Sequence, residues 1–145
     1  MTLDEIYESF LWDESYTHEE YEAKISTGIN EAKKYKYLYP FIQPVIPKFS
    51  KVTWEPCARV VVSKSNEELE PYLYLLFEWL QDVNWPGAYT IMERLAEMPF
   101  SLIEGAFKFS KRQAEKDNDQ PWLWALEDLY ERIGDINIRV ERKRN

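Results

Sequence analysis

One cysteine, one histidine and four glycines in 145 residues close off several chemistries before any pattern is read. Cys57 alone makes no intrachain disulfide and builds no cysteine metal cluster, a usage that fits a reducing cytoplasm. His18 stands in THEEYE without the second histidine of an HExxH zinc hydrolase, so it reads as an exposed first-turn residue. Without that histidine beside it Cys57 has no base, and it reads as a small buried core residue instead of a nucleophile. Neither a Gly-rich phosphate loop nor a G-x-S-x-G elbow occurs. Asp117-Asn118-Asp119 starts like a calcium loop, but Trp122 stands where an EF-hand needs glycine, which leaves the reading of loop and cap. No apolar run approaches the about 20 residues of a membrane span, and MTLDEIYESF carries acids where a secretory signal carries Lys or Arg. The expectation is a soluble cytoplasmic protein with no metal, no cofactor and no membrane partner.

What the chain does have is 45% hydrophobic and 16% aromatic residues beside 30% charged ones, a profile that folds instead of staying disordered. Few glycines and little Val/Ile/Thr alternation favour helix throughout. The length suits one helical domain over 1–145, with a basic tail from about 135 to 145. The net charge of −8 is unevenly laid out: residues 1–23 hold eight acids and no Lys or Arg, and residues 66–104 hold eight acids against one base. Such blocks argue against nucleic acid, which needs a basic stripe, and point to a protein partner of basic character. Solvated helix faces that keep the protein soluble give the same pattern.

The best-determined stretch runs from Leu69 to Ala96. Leu69, Tyr72, Leu73, Leu76, Phe77 and Leu80 recur at steps of three and four, and Ala88, Ile91, Met92 and Leu95 repeat that spacing after a tight turn over 81–86. Pro86 fits the first turn of the second helix, with Asp82 or Asn84 as its cap. Elsewhere Thr2 with Glu5, Thr17 with Glu20 and Ser65 with Glu68 read as capping boxes. Gly28, inside the second helix, costs about 1 kcal/mol against Ala but lets a neighbour come close. In the Pro-rich stretch 37–49, Leu38, Phe41, Ile42, Val45 and Phe49 keep the helical period while Pro40, Pro44 and Pro47 break it. After Thr53, Cys57, Val60 and Val61 share one helical face. Ser101 opens a helix through Leu102, Ala106 and Phe109, and a last helix through Trp122, Leu126, Leu129 and Ile133 closes on Gly134. Ile136, Ile138 and Val140 then alternate as in an extended tail.

Leu80 to Leu95, with Asp82 at the turn and Ala88 and Leu95 in the helix that follows, resembles the second helix of a HEAT-type repeat. The fuller string WLQDVNWPGA is similar to the W-L-x-D-x-N-W-P-x-A signature of an uncharacterised bacterial family of small helical domains. That resemblance implies a small all-α, HEAT-like fold, and the helix patterns along the chain predict six or seven short helices stacked as antiparallel hairpins, in which 53–81, 69–96 and 101–133 pair in sequence. It implies no activity and supplies no catalytic residue.

The function expected is therefore a non-catalytic protein-binding module, with Trp79, Asp82, Asn84, Trp85 and Trp124 as its candidate binding ridge. An indole at a helix end buries its ring and keeps its N–H for a partner, and the same geometry also serves to hold the turn itself. A specific form of the expectation is an immunity-type protein that neutralises a basic toxin. The competing expectation is a small-ligand-binding protein or enzyme that uses acidic residues in an inter-helix groove.

Overall fold

The computed structural model describes residues 1–44 and 50–144, and in them polar caps start helices where the capping signals predict. The Thr2 hydroxyl accepts from the Glu5 amide, and Thr17 likewise accepts from Glu20. Ser65 and Glu68 complete a reciprocal capping box. The elements are α1 (Leu3–Ser9), α2 (His18–Ala32), α3 (Trp54–Val62), α4 (Asn66–Leu69), α5 (Leu73–Glu78), α6 (Ala88–Ala96), α7 (Phe100–Lys116) and α8 (Gln120–Arg144). Short 3-10 turns at Tyr39–Phe41, Lys51–Thr53, Glu70–Tyr72 and Trp79–Gln81 join them. No strand occurs among the described residues, and the fold is all-α. The single turn α4 leads into α5, and counted together they make seven helices. No described helix is long and apolar enough to cross a membrane.

The helices form two layers. In one, α2, α3, α6 and α8 lie side by side and parallel, which the cross-links between them show. Glu22, early in α2, reaches Arg59 in the last turn of α3, and the Lys33 carbonyl accepts from Lys64 just past the ends of both helices. Glu55 accepts from Thr90 near the starts of α3 and α6, and Arg94 donates to the Lys64 carbonyl and to Asn66 further along. Between α6 and α8, Tyr89 shares a groove with Trp124 and Asp128, and Glu97 shares one with Ile136 and Arg139. Against this row α1 packs antiparallel on α2, α7 packs on α8, and α5 packs on α7. The core between the layers holds the stripes read from the sequence, including Leu69, Leu76, Phe77, Leu80, Ile91, Met92 and Leu95.

Gly28 shows why its position excludes a side chain. A Cβ there would lie 1.8 Å from the Ser9 Oγ and 2.9 Å from Phe10 Cε1, so α1 rests directly on the α2 backbone. Gly28→Ala therefore sets overpacking of about 1 to 3 kcal/mol against a helix-propensity gain of about 1 kcal/mol. The expected result is a lower urea midpoint. A midpoint equal to or above the parent's would mean that α1 yields without cost.

Several expectations are corrected. Glu70-Pro71-Tyr72 breaks the first half of the central stretch into a 3-10 turn, because Pro71 offers no amide to a continuous helix. α3 packs on α6 and α2, so 53–81 is not a simple hairpin. Helix α7 begins at Phe100, ahead of Ser101. Phe109 is 49% exposed and edge-on to Tyr74 while Ile103, Phe107 and Ser110 face inward. Gly134 does not end the last helix, which continues to Arg144. Leu129, Ile133, Ile136 and Val140 also run at helical spacing, and half-buried Ile136 packs against the core, which favours helix over the alternating reading of the tail. In the Pro-rich stretch Tyr39–Phe41 forms one short 3-10 turn, and Val45, Pro47 and Phe49 lie outside the described residues.

Candidate functional site

The turn between α5 and α6 is built by its own polar atoms. Asp82 leaves the 3-10 turn in an extended conformation, and its carboxylate accepts from the Asn84 amide at 2.8 Å while its carbonyl accepts from the Trp85 amide at 3.0 Å. That closed loop is an Asx-type turn, the ordinary local use of a short acid. The carboxylate thus serves the turn and does not cap α6. The cap position belongs to Gly87, in the left-handed region at φ 84°, with Pro86 just ahead of the helix instead of inside it. Only a glycine sits easily there, and an added Cβ would meet the Ala58 Cβ at 2.8 Å and the Trp54 carbonyl at 3.1 Å. The turn is thereby seated on α3.

The tryptophans divide between frame and surface. Trp79 is fully buried and donates its indole N–H to the Pro86 carbonyl at 3.0 Å, so it clasps the two ends of the turn and presents nothing outward. This corrects its place on the candidate ridge: the ring that reads as a helix-end indole is the wedge beneath the turn. Trp122 does the same work between layers, buried and donating to the Phe77 carbonyl at 3.1 Å. Trp85 is half-buried, edge-on to Trp54 with ring centroids 5.6 Å apart, and Lys51 stands over the Trp54 ring. The Trp54 indole nitrogen is buried and meets no acceptor among the described residues.

What remains outward is Asn84, Asp82 and Trp124. Trp124 is 61% exposed on the first turns of α8. Parallel packing of α6 and α8 brings it beside the turn, where Asp82, Asn84, Tyr89, Trp124 and Asp128 line an open groove of about 410 Å³. At its back Arg132 holds Asp128 at 2.9 Å and Glu93 at 3.7 Å, with its guanidinium 5.5 Å from the Tyr89 ring. The hydrogen bond to Asp128 raises the Arg132 pKa further, so this cation is permanent. Asp82 has no ion-pair partner among the described residues. Tyr89, Asp128 and Arg132 are absent from the sequence-derived ridge, because only the parallel packing of α6 on α8 brings them beside the turn. The readable signal for Tyr89 and Trp124 is that each is a large aromatic lying off the buried stripe of its helix.

Burial pushes the Cys57 thiol up to about 12, which leaves almost no thiolate at neutral pH, and His18 is exposed at the start of α2, far in the chain from the groove. Among the described residues no three His, Cys, Asp or Glu side chains gather closely enough to hold a metal ion.

A family model described as Domain of unknown function (DUF5071) matches residues 46–140, which takes in the groove and every helix from α3 to most of α8. No curated protein and no solved structure matches the chain.

Proposed function

We propose, for a chain that belongs to the DUF5071 family, that the domain is a non-catalytic protein-binding module whose α6/α8 groove takes a basic segment of another protein. One observation carries the reading: Trp124, 61% exposed, stands in a groove with the Asp82 carboxylate, which has no ion-pair partner among the described residues. A Lys or Arg side chain satisfies both at once, its charge with Asp82 and its stem or guanidinium plane with the indole. The acid excess of −8 favours encounter with such a partner over encounter with nucleic acid. Tryptophan is also the residue type most often found as an interface anchor. The parallel row α2, α3, α6 and α8 with a second layer behind it supports a HEAT-like reading of the layout, in which the ends of the row's helices form the binding edge. A specific form of the proposal is immunity, in which the partner is a basic toxin that this domain occludes. Co-expression with that toxin would then protect the host cell.

The test uses the full chain as bait in its own host and then titrates the captured protein against variants. Trp124→Ala is expected to weaken binding by about 2 kcal/mol or more, roughly 30-fold, and Asp82→Asn to weaken it in the same direction with a reduced salt dependence. Equal affinity in the parent and both variants would overturn the assignment of the groove.

A further inference from the structure

The face of α7 and α8 turned away from the Trp124 groove carries a second surface with a different pattern. Phe100, Phe107, Leu123, Leu126 and Tyr130 floor a groove of about 480 Å³ between the two helices. Three of its rings pack edgewise or tilted on one another, with centroids 5.9 to 6.1 Å apart, and yet Tyr130 remains 59% exposed. The α7 rim bears Lys108 and Lys111 and the α8 rim bears Glu127 and Glu131. Lys108 is tied to Glu104 at 2.7 Å. Lys111, Glu127 and Glu131 make no ion pair among the described residues. The groove keeps the opposite charges of one chain apart.

Gly134 supplies an independent observation. It lies in the interior of α8, exposed, and an added Cβ would find nothing within 4 Å. Nothing among the described residues calls for a glycine there, and a mid-helix glycine costs about 1 kcal/mol relative to alanine. It falls on the same face as Leu123, Glu127 and Tyr130, at steps of three and four. A helix interior glycine on an otherwise aromatic and apolar face permits a neighbouring helix to come close.

We propose that a second copy of this chain covers the α7/α8 face, related by a two-fold axis running along the groove. The charges select this occupant. α7 and α8 are antiparallel neighbours joined by three residues, with Phe107 beside Tyr130, so Lys111 stands at about the height of Glu127, and Lys108 between Glu127 and Glu131. A two-fold axis along the groove preserves height and exchanges the rims. Each copy's lysine rim then faces the other's glutamate rim at the same level, and every pair forms twice. That is the self-complementarity an isologous interface requires. The same operation sets α7 of one copy antiparallel to α8 of the other, giving the up-and-down order of a four-helix bundle with the aromatic floors inside. A two-fold axis across the groove would instead oppose lysine to lysine. The modest apolar area places the contact among weaker, reversible interfaces, and the Trp124 groove stays open in the dimer because it lies on the α6 side of α8.

Sedimentation equilibrium of the full chain from about 1 to about 500 µM, a range that brackets a micromolar dissociation constant, tests the proposal. The average mass is expected to rise with concentration towards twice that of one chain. Lys111→Glu sets like charges against each other and should weaken association about tenfold or more, and adding Glu127→Lys to it should recover most of the loss. Gly134→Gln should also weaken association while raising the unfolding midpoint in dilute solution, a pair of effects that damage to folding cannot produce. A single-chain mass at every concentration would overturn the proposal, whatever other helix the groove accepts. So would a dimer that neither Lys111→Glu nor Gly134→Gln weakens.

Discussion

Trp79→Ala is expected to cost about 3 to 5 kcal/mol of stability, the range for emptying a large buried aromatic site. The indole is fully buried, and its ring supports Gly87, where an added Cβ would lie 3.0 Å from Trp79 Cζ2. Its N–H also closes the turn on the Pro86 carbonyl, a bond worth about 1 kcal/mol net whose loss strands a carbonyl beneath α6. Against a typical total of about 5 to 15 kcal/mol this is a large share, and the variant should unfold at a much lower urea concentration. Trp79→Phe separates the two terms, since it keeps most of the volume and loses the hydrogen bond. A loss below about 1 kcal/mol for Trp79→Ala would mean that the turn holds itself without the wedge.

Gly87→Val comes next, at about 2 to 5 kcal/mol. Two costs act at once. The left-handed backbone at φ 84° penalises any side chain by about 1 to 2 kcal/mol, and a β-branched one most. The new Cβ would also press on the Ala58 Cβ at 2.8 Å and on the Trp54 carbonyl at 3.1 Å, and overpacking of that kind costs about 1 to 3 kcal/mol. The Trp54 carbonyl is main chain of α3, so relief requires α3 and α6 to separate. Chemical denaturation reads the sum, and a midpoint within about 0.5 kcal/mol of the parent would show that the α3/α6 contact is looser than the structure has it.

The pattern that survives from residue spacing to structure is the buried stripe. Leu69 to Leu80 and Ala88 to Leu95 are legible because helical period and burial are the same fact seen twice. The caps at Thr2, Thr17 and Ser65 are legible because the hydroxyl and the amide it serves are three residues apart and act locally, although only Ser65 with Glu68 closes the reciprocal box. Gly134 misleads for the converse reason: a glycine near a polar run reads as a C-cap, but the continued spacing from Ile133 to Ile136 and Val140 carries α8 past it. The candidate site divides along the same line. The place of the turn is local and readable, but the work of Asp82 is not: it closes the turn on Asn84 and leaves the cap of α6 to Gly87. Which tryptophans face outward is not readable either, since Trp79 and Trp124 differ only in what α3, α6 and α8 place over them. The parallel neighbours that bring Tyr89, Asp128 and Arg132 to the groove are more than thirty residues apart in the chain, beyond the reach of any periodicity.

Fold and function meet in the division of the indoles around this groove, with Trp79 locked in the frame and Trp124 presented to a partner. Hydrogen exchange of the indole N–H groups, followed by nuclear magnetic resonance on the labelled chain, measures it in one experiment. The Trp79 and Trp122 protons, bonded to the carbonyls of Pro86 and Phe77, should exchange only with large-scale opening, whereas the Trp124 proton should exchange at the rate of an unprotected indole. Trp79 exchanging as fast as Trp124, or Trp124 protected in the isolated chain, would contradict the account.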